Sequence, residues 1–394
     1  MKLDKSLEFY ERAAAIPGRS STRSKAPGKM FPVGSGPMYA ASASGAVITD
    51  VDGNEYIDML CALGAISLGY GMHGETLCSG SYSLPHVAEP LCAEAILQHV
   101  APWASHVRFT RTGSEATHAA YRIAKRATGR PFVLVGKESY HGWHEFCERR
   151  LDGETESFWT ILYEHGQDLE ATMRDGVHKL NIDGSEVAAL FVEPHRWKPI
   201  DAAWWQSLRT WCSKHGVVLV FDEMIYGGRW AIGGATQVFG VQPDLACFGK
   251  ALGNGAPFAC VVGGDVVRDY GEIVSGTFSG DAGALIQAAA VVTAYEEKEV
   301  IATMWSRGAQ LKAGLRMAVE ATGWSGHAFP EGSDVHQRLR FNLPELGRQF
   351  SSLMASRGVL FHPDVVNLCA SHTPQQIATV VNAATESLKA MGQP

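Results

Sequence analysis

The sequence predicts an α/β fold, with a mostly parallel central sheet sandwiched by helices and a smaller α+β domain beside it. Three observations point there. From about Leu84 to Glu297, helical patterns alternate with short apolar runs, the order of βαβ construction. Val187–Val192, Val217–Phe221 and Leu245–Phe248 are apolar throughout, as strands covered on both faces are. The two ends of the chain differ in texture, with hairpin signals near Asp52 and mixed helix and strand patterns after Glu297. Residues 61–290 are expected to form the large domain, and 1–60 together with 291–394 the small one. At 394 residues there is room for both cores.

In chain order, Ser6 to Ala15 reads as a helix stopped by Pro17-Gly18. The polar loop after it carries Arg19, Ser21, Thr22, Arg23 and Lys25, which line a site for an anionic or hydroxylated substrate or form a solvated loop. Asp52-Gly53-Asn54 joins two β-rich runs, glycine and asparagine being the residues that accept a positive φ. His106–Thr110 reads as a strand and runs into Arg111-Thr112-Gly113-Ser114-Glu115. The helix that follows has three-four spacing at Ala116, Ala119, Ala120, Ile123, Ala124 and Ala127 and stops at Gly129. Its start, at the carboxyl end of a strand, suits a phosphate, or Ser114 is only an N-cap. Pro131–Gly136 is the next strand and delivers Tyr140-His141-Gly142, an aromatic suited to stack on a flat ring or a core tyrosine near a turn. His141, His144 and Glu145 lack the helical spacing of a zinc set.

Val187–Val192 ends in Glu193, a tryptophan-rich helix spans Ala202 to His215, and Val217–Phe221 ends in Asp222-Glu223. An acid at that point pairs with a pyridine nitrogen or caps a neighbouring helix. Asp222 completes the strand's alternation and is the better choice. Leu245–Phe248 then delivers Gly249-Lys250 and a glycine-rich turn through Gly253 and Gly255. A lysine held away from water loses its charge readily, and as a free amine it forms a Schiff base with an aldehyde, which suggests pyridoxal phosphate; the alternative is a surface lysine in a loop. Thr277 offers a hydroxyl and an N–H before an alanine-rich helix from about Ala282 to Glu297. Beyond it the patterns predict a helix over Leu311–Ala321, strand pieces near Leu339–Phe341 and Val359–Phe361, and a last helix from Pro374.

Composition narrows the partners. The formal net charge is −7 and the basic residues are not clustered, so nucleic acid is not expected and a small-molecule partner is. Cys61, Cys78, Cys92, Cys147, Cys212, Cys247, Cys260 and Cys369 show no C-x-x-C pair and no metal-ligand spacing, so reduced thiols and no metal are expected. The N-terminus is amphipathic and charged rather than signal-like, and no apolar run is long enough to span a bilayer, so a cytoplasmic location without membrane attachment is expected.

Taken together, the motifs resemble the class III aminotransferases, which are fold type I pyridoxal-phosphate transferases. Gly113-Ser114-Glu115-Ala116 is similar to the family's phosphate-binding turn, Tyr140-His141-Gly142 to its ring-stacking segment, Asp222-Glu223-Met224 to its pyridine-nitrogen acid, and Gly249-Lys250 to its Schiff-base lysine. Gly276-Thr277-Phe278 resembles the loop that reaches the neighbouring subunit's phosphate. The resemblance implies catalysis by Lys250 and Asp222, with cofactor contacts from Gly113, Ser114, Glu115, Tyr140, His141, Glu193, Met224 and Thr277. It also implies a homodimer with shared sites, an amino donor and a carbonyl acceptor as partners, and a ping-pong reaction. Within the family, Ala62–Gly69 and Ser83–His86 resemble the glutamate-1-semialdehyde aminomutase-like group, including members of sugar or surface-polysaccharide pathways. Lys25 and Leu63 stand where aminomutases carry arginine and tryptophan, Met224 stands for a valine, and Tyr226-Gly227-Gly228-Arg229 replaces another continuation. Lys25, Arg23, Arg196 and Arg229 are the substrate candidates, and the 2,1-aminomutase and a catalytically silent homologue are the alternative readings.

Overall fold

The computed structural model describes residues 1–15, 19–20, 25–28, 32–71, 81–83, 85–136, 139–144, 160–163, 169, 184–194 and 201–392. The chain divides into two compact units, one of Met1–Met72 with Glu299–Pro394 and the other of His73–His195 with Pro199–Lys298. Residues 61–71 thus go with the smaller unit, and 291–298 with the larger. Backbone bonds explain the first shift: Gly45 and Tyr70 exchange N–H···O bonds of 2.9 and 2.7 Å, and Ala370 N donates to Ser67 O at 2.6 Å. The second follows from an unbroken helix over Ala282–Glu297.

The larger unit holds a seven-stranded sheet of β4 (His106–Thr110), β5 (Phe132–Gly136), β6 (Thr160–Tyr163), β7 (Val187–Val192), β8 (Val218–Asp222), β9 (Leu245–Gly249) and β10 (Ala259–Gly263). Its order is β4-β10-β9-β8-β7-β5-β6, with β10 antiparallel to both neighbours and the other pairings parallel. Alternate residues feed two cores: Leu219, Phe221, Ala246 and Phe248 on one face, Val218, Val220, Leu245 and Cys247 on the other. Side chains of the helices Ala88–Ala95, Ala202–His215 and Ala282–Glu297 complete the first core, and those of Gly113–Thr128 and Asp265–Tyr270 the second. The strand β10 is absent from the sequence reading, which passes from Gly255 to Ser275 without an element. It hairpins back from β9 through the 3-10 turn Lys250–Gly253 and through Asn254 and Gly255, whose φ values are +40° and +97°.

In the smaller unit, β1 (Ala40–Ser44), β2 (Val47–Asp50), β3 (Glu55–Asp58) and β13 (Val359–Leu360) form one sheet. The strands β11 (Ala328–Ser333), β12 (His336–Phe341) and β14 (Val366–Asn367) form a second. At the β2–β3 turn only Gly53 takes the left-handed conformation, at φ +83°. Asn54 works differently, donating from its backbone N to Asp50 Oδ1 and from Nδ2 to Asp50 Oδ2, both at 2.8 Å. The helix expected over Leu311–Ala321 begins at Val300, after Glu299, which makes no side-chain cap bond and so leaves no start signal in the sequence. Cys61 meets Cys369 and His372, which are three residues apart in the sequence, in this unit's interior.

Candidate active site

The parallel strands bring their carboxyl ends to one edge of the sheet, and Gly113, Tyr140, Glu193, Asp222 and Lys250 stand at or just after the ends of β4, β5, β7, β8 and β9. Register fixes the arrangement: Ala259 pairs with both Gly249 and Thr110, and Asp222 with Cys247. The ends of β4, β9 and β8 therefore lie along one edge, with the start of β10 between β4 and β9, the crevice position at which open α/β sheets bind ligands.

The helix Gly113–Thr128, α1 here, starts three residues after β4. Its N-cap is Thr112, not Ser114: Thr112 Oγ1 accepts from Glu115 N at 3.2 Å, and Glu115 Oε2 accepts from Arg111 N and Thr112 N at 2.8 and 3.0 Å. Glu115, expected among the cofactor contacts, has its carboxylate engaged in this cap. The N–H groups of Gly113 and Ser114 have no carbonyl partner among the described residues, as first-turn donors do not. Ser114 Oγ accepts from Trp143 N at 3.3 Å. Gly142 lies against it with φ +105°, and a Cβ there would stand 2.5 Å from Ser114 Oγ and 2.8 Å from its Cα. Thr117 Oγ1 donates to His141 O at 2.5 Å and ties the same loop to the helix.

Asp222, 2% exposed, ends β8. Its Oδ2 lies 2.8 Å from His141 Nδ1 and its Oδ1 accepts from Met224 N at 3.1 Å. His141 thus faces the acid, a partnership that ring stacking did not anticipate, and its Nε2 is buried without a hydrogen-bond partner among the described residues. Tyr140 is 36% exposed, while its backbone N donates to Glu193 Oε2 at 3.0 Å. Glu193, expected to touch cofactor, therefore uses that oxygen to position the Tyr140 segment. The Met224 thioether fills the space between helix start and strand end: a Cβ on Gly113 or on Gly249 would lie 2.9 Å from its sulfur. Glycine at both positions is what lets the methionine in.

Lys250 follows β9 directly and has φ +42°, a left-handed conformation that a side-chain-bearing residue adopts at a cost of about 1–3 kcal/mol. The turn thus carries strain at the lysine itself. Thr277 is exposed, and its carbonyl accepts from Ser81 Oγ at 3.3 Å. Arg229 is fully buried, so its guanidinium meets no solvent-borne ligand in this conformation. Lys25 is exposed in the smaller unit, and Arg23 and Arg196 lie outside the described residues, as does Glu145.

Glu223 turns away from Asp222. It is fully buried, and its Oε1 accepts from Thr236 N at 3.2 Å. Burial pushes its carboxyl up to about 8, the N–H groups of Ala235 and Thr236 oppose that, and the charge on Asp222 adds to it. A carboxyl raised in the folded state binds its proton between the unfolded value, near 4.5, and about 8. Stability is then fullest below the unfolded value and falls as pH rises toward 8. Glu223→Gln, neutral at every pH, is expected to flatten that slope, gaining on the wild type by up to a few kcal/mol between about pH 5 and 8. Urea midpoints across that range read it, and parallel profiles for the two proteins would refute it.

The family profile described as aminotransferase class-III matches residues 30–323. The chain belongs to the class-III aminotransferases. It is therefore a pyridoxal-phosphate enzyme of fold type I. A glutamate-1-semialdehyde 2,1-aminomutase of Desulforapulum autotrophicum is 29% identical, the alignment covering 96% of each chain. A 3-aminobutyryl-CoA aminotransferase of Cloacimonas acidaminovorans is 26% identical over 98% of this chain and 97% of its own. Among solved structures, the FumI protein of Sphingopyxis sp. MTA144 in its pyridoxal-phosphate form superposes with a TM-score of 0.88 at 25% identity, covering 98% of this chain and 96% of its own.

The sheet edge of this class-III aminotransferase fits the cofactor on its own chemistry. Unpaired first-turn N–H groups suit a phosphate, a buried acid held from both oxygens suits a protonated ring nitrogen, and an exposed tyrosine ring suits a flat aromatic.

Proposed function

We propose that this chain transfers an amino group from an amino donor to an aldehyde or ketone acceptor, in two half-reactions, with Lys250 as the catalytic amine. The observation that carries the reading is the buried Asp222–His141 pair at the end of β8, next to the strand that Lys250 follows. Pyridoxal phosphate, when bound, supplies an aldehyde that captures an amine and a ring that draws electrons from the substrate carbon. Asp222 presents an anion to the ring nitrogen and His141 orients it. Gly113 and Ser114 hold the phosphate through N–H groups, Ser114 adding a hydroxyl. Tyr140 offers one flat face and Met224 an apolar filler beside the turn. Lys250 Nζ, uncharged, takes a proton from substrate carbon and returns it elsewhere. A homodimer in which the partner's Thr277 completes the phosphate site accounts for the exposure of Thr277 in the single chain. We assign this dimer to the cytoplasm and its acceptor to sugar or secondary metabolism; among the described residues no helix is long and apolar enough to cross a membrane.

The relatives named as 2,1-aminomutases favour a second reading, transfer within one molecule. Lys25 and Leu63, in place of the arginine and tryptophan of that group, favour the intermolecular one. Mixing the holoenzyme with single amino donors decides between them. A donor that converts the bound aldehyde to its amine form, with parallel double-reciprocal lines once an acceptor is present, is the expected result. Intersecting lines, or turnover of an amino-aldehyde without any donor, would overturn it. A chain that takes up no cofactor would support the silent homologue.

A further inference from the structure

The loop that carries Thr277 is held at both ends by arginines, one from β4 and one from the turn that opens α1. At its start, Arg108 of β4 donates from Nη2 to Val274 O, and Gly271 leaves room for the arginine stem, since a Cβ there would stand 3.1 Å from Arg108 Cγ. At its end, Arg111 Nη1 lies 3.0 Å from Asp281 Oδ1, the two side chains being 25% and 15% exposed. That contact is not aligned as a hydrogen bond, so it holds through charge, and water screens it less than a pair on the open surface. Both residues of the pair belong to larger elements. The backbone N of Arg111 donates to Glu115 Oε2 in the cap of α1, and Asp281 Oδ1 also accepts from Ala284 N at 2.9 Å as the N-cap of the helix Ala282–Glu297. Between the two anchors residues 275–278 are exposed, Phe278 by 60%, so the tip is presented to solvent while its ends are fixed. The tip is internally bonded, Ser279 N to Gly276 O at 3.0 Å and Asp281 N to Phe278 O at 3.2 Å, so a displacement of Thr277 is passed on to Asp281.

We propose that Arg108 and Arg111 are positioning residues that clamp the Thr277 loop to the chain's own phosphate-binding turn, and that this clamp couples the two cofactor sites of the dimer. The coupling presupposes the dimer proposed above, in which Thr277 completes the partner's phosphate site. The loop then serves one cofactor and the turn at Gly113 and Ser114 serves the other, yet a single ion pair ties loop to turn within one chain. Cofactor bound in the partner's site holds Thr277 in place, and through Asp281 and Arg111 that restraint reaches the turn. The second cofactor therefore loses less freedom on binding than the first. The coupling is positive for that reason, and linkage makes it act equally in both directions. Because the Arg111–Asp281 contact holds through charge, Asp281→Asn breaks it while keeping an oxygen to accept from Ala284 N, so the clamp is separable from the helix cap.

The test brings full-length holoenzyme to half occupancy with pyridoxal phosphate by dialysis and leaves it closed until the distribution stops changing. Native mass spectrometry then counts the dimers that hold no, one or two cofactors. Independent sites leave about half of the dimers with one cofactor, whereas a coupling of about fivefold lowers that share to about a third. The wild type is expected near the lower share. Arg111→Gln and Asp281→Asn should return it to the higher one, and Arg268→Gln, which removes a half-exposed arginine of the same unit, should leave the wild-type distribution in place. The wild-type count needs no variant to fold, and Asp281→Asn stands in should Arg111→Gln fail to. Wild-type dimers that follow the independent distribution would overturn the coupling and leave the aminotransferase reading intact. Either clamp variant keeping the wild-type distribution would remove the Arg111–Asp281 pair from it. Monomers throughout, visible by mass in the same spectra, would overturn the dimer and the coupling together.

Discussion

Lys250→Ala is expected to abolish turnover, by at least about a thousandfold in kcat, while the seven-stranded sheet stays folded. The physical reason is specific to the amine. The proposed role needs an amine at the carboxyl end of β9, and the substitution leaves the backbone problem unchanged, because alanine at φ +42° is as disfavoured as lysine. Lys250→Gly separates the two contributions. Glycine relaxes the left-handed strain and should raise the unfolding midpoint slightly, yet it should be as inactive as alanine. Lys250→Arg keeps a cation at the same place, but a guanidinium stays protonated at any accessible pH, so it too should be inactive. A small primary amine added to Lys250→Ala should restore part of the rate by entering the space left by the side chain. Turnover within tenfold of wild type in both Lys250→Ala and Lys250→Gly, measured with any donor active on the wild type, would remove the lysine from the mechanism.

The strand ends were readable in the sequence for a reason that is physical rather than statistical. Val187–Val192, Val218–Asp222 and Leu245–Gly249 are buried on both faces, so they are apolar without interruption, and whatever polar residue breaks each run is delivered at its carboxyl end. That places Glu193, Asp222 and Lys250 without any knowledge of pairing. The helix at Gly113 was equally legible, since its apolar positions and its stop at Gly129 are local signals. What each side chain does at the edge was less so. Whether Thr112 or Ser114 caps the helix depends on the angle at which the chain leaves β4, and Glu115 becomes a cap only because three residues later in a helix means one turn back toward the start. His141 faces Asp222 because β5 and β8 are two strands apart in the sheet, a distance no spacing along the chain encodes. The strand β10 was missed because Ala259–Gly263 follows a turn built from two consecutive left-handed positions, Asn254 and Gly255, which reads as the end of an element rather than its middle. The left-handed run at Cys61–Leu63 is hidden for the opposite reason: cysteine, alanine and leucine are residues that normally avoid it.

The second large effect concerns the acid on β8, where two substitutions distinguish charge from hydrogen bonding. Asp222→Asn keeps the shape. The amide oxygen can still accept from Met224 N, and the amide N–H can donate to His141 Nδ1 once the imidazole proton moves to Nε2, so stability should change by less than about 1 kcal/mol. The anion is gone, however, and kcat is expected to fall by about a hundredfold or more, because nothing else described at that point of the edge would keep a ring nitrogen protonated. Asp222→Ala removes both acceptors, leaving the Met224 N–H and His141 Nδ1 buried and unpaired at about 1–3 kcal/mol each, so it should be both inactive and destabilised. In the proposed mechanism His141 acts through Asp222, as a positioning residue. His141→Asn should therefore cost about tenfold in kcat with little change in KM, and it should move the pH at which the cofactor's visible band titrates, which a purely packing role would leave in place. A cofactor analogue methylated on the ring nitrogen carries a permanent positive charge, and Asp222→Ala has room for the methyl group. Reconstitution of that variant with the analogue should recover activity well above that with ordinary cofactor, since the analogue needs no acid to stay cationic. Equal activity with the two cofactors would mean that the carboxylate serves the fold rather than the ring, and that the decline in Asp222→Asn has another origin.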